Sequence, residues 1–168
     1  MHKSAYENGE RFFKNYCENG IETKTILDVG SYDVNGTLKP IFQQGTYVGL
    51  DMAEGPNVDV VAPANKIPFD KNHFDIILSS SCFEHDDFFW LTFLEMCRVI
   101  KSGGYIYLNA PSSGPYHGHP GDNWRFYKDS WSCLAKWGVM NNYEIELVES
   151  YIDESEAWKD SVGIFKKK

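Results

Sequence analysis

The sequence predicts a three-layer α/β fold with helices on both faces of a mostly parallel sheet. Short β-rich runs alternate with stretches of helical periodicity along the 168 residues, as in chains built from βαβ units. The early runs are apolar throughout, which is typical of parallel strands buried on both faces. Neither a repeat nor a low-complexity segment interrupts the alternation, so we expect one domain over residues 1–168.

Seven strands can be assigned along the chain. The apolar runs place them at residues 25–29, 47–51, 58–62, 74–80, 105–110, 143–152 and 161–165. A polar, acidic turn rather than a helix joins the last two, which predicts an antiparallel closing pair. The expected architecture is a Rossmann-like three-layer sandwich with a seven-stranded, mostly parallel sheet and an antiparallel closing strand.

Three helices are predicted from helical periodicity. The first covers residues 4–19, and Gly20 ends it. The second begins after a capping Asp86 or Asp87 and ends at the Gly103 and Gly104 pair. The third covers residues 129–137. The chain then divides into an N-terminal helix (1–20), a cofactor-binding core (25–111), a predicted acceptor loop (112–128), and a closing helix and strands (129–168).

Composition restricts the partners and the location. The formal net charge of −8 disfavours nucleic-acid binding, which draws on clustered Lys and Arg. The four cysteines form no CxxC pair, as expected for reduced thiols. The N-terminus lacks a signal-peptide core, and no run approaches the ~18 apolar residues of a membrane span. We therefore expect a cytoplasmic protein without a membrane partner, while its oligomeric state stays open.

The loop after the first strand, ILDVGSYDVNG (residues 26–36), predicts a binding site for a positively charged ligand. Gly30 lets a ligand approach the backbone, and the carboxylates of Asp28 and Asp33 favour an ammonium or a sulfonium group. A dinucleotide site needs GxGxxG, whereas a pyrophosphate here would meet Tyr32 and Asp33. The alternative is that residues 33–36 only form a turn.

Asp51 ends the second strand about twenty residues beyond this loop, where a carboxylate can bind both hydroxyls of a ribose. Together, the two strand-end acids favour an adenosine-like ligand. The alternative for Asp51 is a surface residue that caps the next helix.

Four motifs follow one another in a recognisable order: ILDVGSYDVNG, TYVGLD, IPFDKNHFDIILSSSCFEH and RVIKSGGYIYLNAP. With them the chain resembles the class I S-adenosylmethionine-dependent methyltransferases, particularly the small methyltransferase-domain group with a Glu-His pair after strand four. The resemblance covers residues 26–111 well and the remainder loosely. It departs from the family's acid-x-Gly-x-Gly-x-Gly pattern, because Tyr32 and Val34 occupy the second and third glycine positions.

The resemblance implies S-adenosylmethionine as cofactor, together with a set of contacts to it. Asp28, Gly30 and Ser31 would form the methionine side, with Tyr32 beside them in the altered loop. Asp51 would hold the ribose. The remaining contacts would be Met52, Ala64 and Asn65 at the adenine, and Ser80 and Ser81 at the methyl group.

Two segments supply candidates for the acceptor side. Glu84 and His85 follow strand four at the carboxyl edge of the sheet, where His85 is either a base or a hydrogen-bond donor to a backbone carbonyl, and Glu84 can simply cap. The loop PYHGHPGDNWRFY (115–127) combines bases, an acid, aromatics and a guanidinium. We predict catalytic roles for His85, His117, His119 and Asp122, and acceptor binding by Tyr116, Trp124 and Arg125.

Two alternatives for this loop are considered. His117 and His119 offer two metal ligands, but no third residue stands at a recognisable spacing, so we expect no metal. The loop can also be a packed, hydrogen-bonded lid without a role in chemistry.

The expected function is methyl transfer to an oxygen or nitrogen of a small molecule or glycan, with positioning supplying most of the acceleration. An alternative is a catalytically inactive cofactor-binding module that serves as a regulatory or complex-forming subunit, which the altered glycine pattern motivates. A nicotinamide-dependent dehydrogenase ranks last, because Tyr32 and Asp33 oppose a pyrophosphate.

Overall fold

The computed structural model describes residues 2–118 and 121–168. Seven strands in these segments form one sheet in the order β3-β2-β1-β4-β5-β7-β6. All pairs are parallel except those that β7 makes with β5 and β6. The predicted sheet with one antiparallel closing strand is therefore confirmed. The strands are β1 (Thr25–Val29), β2 (Thr46–Asp51), β3 (Val60–Val61), β4 (Phe74–Ser80), β5 (Ile100–Pro111), β6 (Ile145–Ile152) and β7 (Asp160–Lys167).

Four α-helices cover the sheet within the described segments. The opening helix is shorter than predicted, because its last turn, Phe13–Cys17, is π-helical. A four-residue helix that sequence periodicity could not reveal follows β1 and has Pro40 in its first turn. The helices are α1 (Lys3–Phe12), α2 (Lys39–Phe42), α3 (Phe89–Val99) and α4 (Ser130–Met140).

The prediction that Gly103 and Gly104 end the second predicted helix, which is α3 of the structure, was wrong. Helix α3 ends at Val99, and Ile100 already pairs with Phe74 of β4. The two glycines lie inside β5, where the pairing with β4 shifts register and Gly103 adopts a φ of 79°. Such a bulge requires a residue without a side chain, so glycine here marks an irregular strand.

Buried apolar side chains form one core on each face of the sheet. On one face, Phe12 and Phe42 pack with Ile26 of β1. On the other, Phe93 and Trp131 pack with Leu27, the next residue of the same strand. Burial on both faces fixes a parallel sheet and leaves the strand ends as the place for polar side chains. Among the described residues, no helix has both the length and the apolar character needed to cross a membrane.

Candidate active site

Gly30 sets the path of the chain after β1. Its backbone N–H and that of Ser31 both donate to the Leu50 carbonyl, at 2.9 and 3.1 Å. Gly30 has a φ of 80°, and a Cβ added there would lie 2.4 Å from Cys82 Sγ. Only glycine therefore allows the loop after β1 to pass so close to the segment after β4. The motif predicts the glycine. The contact with Cys82 joins the ends of two neighbouring strands that are far apart in sequence, so no local pattern predicts it.

A cavity of about 100 Å³ lies at the carboxyl ends of β1 and β4. Ligand pockets usually measure about 300 Å³ or more, so the enclosed part suits one end of a cofactor-sized molecule. Six of the ten predicted cofactor residues line it. The lining residues are Asp28, Gly30, Ser31, Tyr32, Val34, Asn35, Gly36, Thr37, Leu38, Ser80 and Ser81.

Residues 33–37 form a turn that also lines this cavity. Gly36 donates its N–H to Asp33 Oδ1 at 2.6 Å and has a φ of 125°. The carboxylate and the glycine together close this turn. The turn alternative for this segment is thus correct in geometry, and it is compatible with a binding loop.

Asp28 is the buried acid of the cavity. Asp28 is 6% exposed, and its carboxylate accepts a hydrogen bond from the Tyr47 hydroxyl. Burial raises the pKa of Asp28 to about 6, and the nearby Asp51 adds to the rise while the Tyr47 hydrogen bond opposes it. A cationic group placed beside Asp28 would stabilise the charged carboxylate.

Asp51 lies at the end of β2, as predicted, and holds the neighbouring loops. Its Oδ2 accepts from Tyr32 N at 3.1 Å, and its Oδ1 accepts from Ala53 N at 3.2 Å. Each oxygen retains capacity for a second donor. The three residues predicted at the adenine lie outside the cavity lining, and their roles remain predictions: Met52 is 75% exposed, and Ala64 and Asn65 form a turn after β3.

The segment after β4 is strained and carries unpaired polar atoms. Ser81 adopts a φ of 54°, which non-glycine residues rarely do, and donates its N–H to the Asn109 carbonyl at 2.9 Å. Within the described segments, the Oγ atoms of Ser31 and Ser81 and the Oδ1 of Asn109 are buried without a hydrogen-bond partner. Such atoms are rare in folded proteins, and a polar ligand at this point would find three unpaired partners. Sequence analysis missed Asn109, although it ends the apolar run of β5.

The loop that follows β5, described over residues 112–118 and 121–128, packs against the turn that follows β4, and we call it the docked loop. Asn123 N and Trp124 N both donate to the Glu84 carbonyl, at 2.7 and 3.2 Å, and Trp124 Nε1 donates to the Asp86 carbonyl at 2.9 Å. His85 Nδ1 hydrogen-bonds the Gly121 carbonyl. The two predicted acceptor segments are therefore one structural unit.

An ion pair stabilises the loop from within. Arg125 donates Nη1 and Nη2 to the two carboxylate oxygens of Asp122, at 2.5 and 2.8 Å, and Nη2 also reaches the Pro115 carbonyl. These hydrogen bonds hold the pKa of Asp122 well below its usual range. His117 donates its backbone N–H to Asp122 Oδ2 at 2.9 Å. Tyr116 is 78% exposed, and His119 lies outside the described residues.

Glu84 is buried within this unit, with only 1% of its surface exposed. Burial raises its pKa to about 8. One carboxylate oxygen, Oε1, lies 3.7 Å from His85 Nε2. Asp86, rather than Glu84 or Asp87, supports the start of α3, because its Oδ1 accepts from Phe88 N at 2.8 Å. Glu84 is thus free of the capping role that its position suggested.

A wider aromatic groove lies beside the docked loop. Its volume is about 570 Å³, within the range of small-molecule sites. Trp124 and Arg125, both predicted to bind an acceptor, contribute to it. The groove is lined by Phe89, Trp90, Trp124, Arg125, Phe126, Ser130, Cys133, Leu134 and Trp137.

A family model described as a methyltransferase domain matches residues 27–108. The match covers β1 to most of β5, together with the residues that line the cavity. Residues 27–108 are therefore a methyltransferase domain with S-adenosylmethionine as its cofactor. The matched segment ends before the docked loop, so the acceptor side of this methyltransferase is not described by the family model.

Solved structures share the fold of this methyltransferase at low sequence identity. A putative methyltransferase from Bacillus halodurans is 15% identical with a TM-score of 0.68, over 95% of this chain and 96% of that one. An S-adenosylmethionine-dependent methyltransferase from Aquifex aeolicus is 19% identical with a TM-score of 0.66, over 95% and 88%. The 1,6-didemethyltoxoflavin-N1-methyltransferase of Burkholderia thailandensis, solved with 1,6-didemethyltoxoflavin and S-adenosylhomocysteine, is 16% identical with a TM-score of 0.66, over 98% and 84%. No curated protein sequence matches the chain.

Proposed function

We propose that this methyltransferase transfers a methyl group to an oxygen or nitrogen atom of a small molecule or glycan. The observation that carries the proposal is the docked loop, which brings His117 and Asp122 to the turn that carries His85 and directly follows Ser81 of the cavity. A methyl acceptor must be held in line with the donor, and positioning of this kind accounts for much of the acceleration.

The cavity residues are assigned to the cofactor, whose sulfonium supplies an electrophilic methyl group. Asp28 is proposed to face the positive charge of the cofactor, because burial disfavours the charged form of its carboxylate and a cationic partner would stabilise that form. The unpaired Oγ atoms of Ser31 and Ser81 are proposed to bind the polar end of the same molecule. Asp51 is proposed to accept hydrogen bonds from ribose hydroxyls.

The acceptor class is argued from the groove and the charge. Trp90, Trp124 and Trp137 line the groove and present apolar faces on which a sugar or an aromatic ring can pack. Arg125 also lines it and is proposed to contact the acceptor while it stays paired with Asp122. The net charge of −8 disfavours long polyanions, so nucleic acid is not proposed as an acceptor.

Titration calorimetry with the cofactor and its demethylated product tests the cofactor site. Asp51→Ala is expected to weaken binding by about 1 to 3 kcal/mol, which is the cost of removing a charged acceptor from buried hydroxyls. Glu54→Ala is the matched control, because it removes the same charge from an exposed position three residues away. Unchanged affinity in Asp51→Ala would assign the ribose site elsewhere. Binding of NAD in place of both ligands would refute the cofactor assignment as a whole.

The acceptor is tested by transfer of a labelled methyl group to a panel of glycans, phenols, alcohols and amines. A methylated oxygen or nitrogen product is the expected result. Transfer only to protein or nucleic acid would refute the proposed acceptor class.

A further inference from the structure

We infer that Glu84, His85 and His117 form a binding site for a first-row divalent metal ion, with Zn²⁺ as the expected occupant. One potential ligand atom from each of the three side chains lies within 4.8 Å of the other two. Glu84 Oε1 and His85 Nε2 are 3.7 Å apart. Ligand atoms at zinc distances stand about 3.3 Å from one another in a tetrahedron, so small side-chain rotations close the site.

Glu84 provides the evidence that this cluster takes a cation. Its side chain is buried, and its Oε2 has no hydrogen-bond partner among residues 2–118 and 121–168. A buried carboxylate with an unsatisfied oxygen is unfavourable unless a positive group compensates it. Arg125 acts on Glu84 electrostatically, but its guanidinium already binds Asp122 and the carbonyls of Pro115 and Trp124. A metal ion would supply the missing counter-charge.

Each histidine is oriented by contacts of the kind that surround metal ligands. His85 Nδ1 bonds the Gly121 carbonyl, and such a bond to one ring nitrogen directs the other toward a metal. His117 has its backbone N–H on Asp122 and its Nδ1 3.0 Å from Asp122 Oδ2, without the alignment of a formed hydrogen bond. The His117 ring packs edge-on against Trp158, with centroids 4.8 Å apart. The cluster is therefore held in place before any ion binds.

The donor set selects the class of ion. Two imidazoles and one carboxylate suit Zn²⁺, Co²⁺ or Fe²⁺, whereas Mg²⁺ prefers oxygen donors and retains water. Three protein ligands leave a further coordination position, as in catalytic rather than structural zinc sites. The ion would then lie between the turn after β4 and the docked loop, at the side of the fold that we assign to the acceptor.

Metal titration of chelator-stripped full-length protein tests the inference. Calorimetry with Zn²⁺, and the visible absorption of Co²⁺ as a second probe, are expected to show one equivalent bound and no competition by Mg²⁺. Glu84→Gln and His117→Gln are each expected to lower Zn²⁺ affinity at least tenfold. His73→Gln is the matched control, since His73 is exposed in the turn before β4 and outside the cluster.

Two further measurements keep the result decisive. The side chain of His117 is partly exposed (31%), so we expect His117→Gln to fold. This variant therefore measures the loss of Zn²⁺ affinity even if replacing the buried Glu84 impairs folding. Zn²⁺ is expected to raise the melting temperature of the wild type and not that of His117→Gln, whereas cofactor affinity in the same samples stays unchanged. Failure of the wild type to bind Zn²⁺, or wild-type affinity in His117→Gln, would overturn the metal site without bearing on cofactor binding.

Discussion

The two sides of the candidate site are held by different interactions. On the cofactor side, backbone groups at strand ends hold the loop, with Gly30 N and Ser31 N on the Leu50 carbonyl. On the acceptor side, side chains from distant segments hold one another, as in the pair of Asp122 and Arg125 and the bond from His85 to Gly121. Strand-end geometry is fixed by the sheet, whereas a docked loop can change its side chains without altering the sheet. Substitutions should therefore separate cofactor binding from methyl transfer.

The largest effect is expected from Gly30→Ala. The added Cβ would meet Cys82 Sγ at 2.4 Å, in a backbone conformation that alanine rarely adopts. Strain and overpacking together should destabilise the fold by about 2 to 5 kcal/mol and abolish measurable cofactor binding. Denaturant unfolding and calorimetry check both results.

Gly20→Ala separates strain from steric contact. Gly20 has a similar φ of 73°, but nothing lies within 4 Å of an added Cβ. Gly20→Ala should therefore lower stability only through backbone strain, and it should leave cofactor affinity unchanged. Equal effects of the two substitutions would mean that the close approach to Cys82 is unimportant.

The second prediction concerns Asp28→Asn and its dependence on pH. The folded-state pKa is raised to about 6, above the about 3.9 of an unfolded chain. The folded state thus binds more protons between these values, so this group stabilises the fold at low pH and loses that contribution as the pH rises through 6. The difference between these two pKa values corresponds to about 2 to 3 kcal/mol of unfolding free energy, and Asn removes this cost of a buried charge while it keeps an acceptor for Tyr47.

Urea unfolding at pH 4 and pH 7.5 tests the sign. The variant should be more stable than the wild type at pH 7.5 and nearly equal to it at pH 4, yet bind the cofactor more weakly at pH 7.5. A gain in stability combined with a loss of binding is typical of a residue kept for function. A variant that is less stable at pH 7.5 would show that Asp28 contributes to folding instead.

The sequence could predict the cofactor side because its residues stand where strands end. Asp28, Gly30 and Asp51 occupy positions that strand order alone brings to one edge of the sheet. The contact with Cys82 could not be predicted, because it depends on how closely the chain after β1 passes the chain after β4. Gly103 was misread for a related reason, since a local pattern cannot separate a helix end from a bulge.

The sequence predicted which residues belong to the acceptor side, but it did not predict the contacts among them. Loop composition indicated His117, Asp122 and Arg125, but their pairing with the turn at Glu84 arises from contacts across more than thirty residues of sequence. No ligand spacing could reveal the cluster of Glu84, His85 and His117, because two of its members are adjacent and the third is remote. Their separation in sequence is the reason that no metal was expected.

The smallest effect is expected from Arg125→Lys, which tests whether the loop supports transfer alone. A lysine cannot donate to both oxygens of Asp122 and to the Pro115 carbonyl at once. The substitution should therefore destabilise the docked loop by about 1 kcal/mol after allowance for solvent screening. Cofactor affinity should stay within twofold of wild type, whereas transfer to an identified acceptor should fall about tenfold because a loosened loop no longer holds the acceptor in line.

Arg98→Lys provides the matched control for this last prediction. Arg98 also binds a carboxylate with two nitrogens, on Glu95, and donates to the carbonyls of Ile67 and Phe69. It lies near the end of α3, away from the docked loop, so its replacement should cost similar stability without changing transfer. If both substitutions lower transfer equally, the loss reflects general destabilisation, and the docked loop is a structural lid. If only Arg125→Lys lowers transfer, the ion pair positions the acceptor side. Cofactor binding and methyl transfer then depend on different contacts, backbone groups at strand ends for the first and side chains of the docked loop for the second.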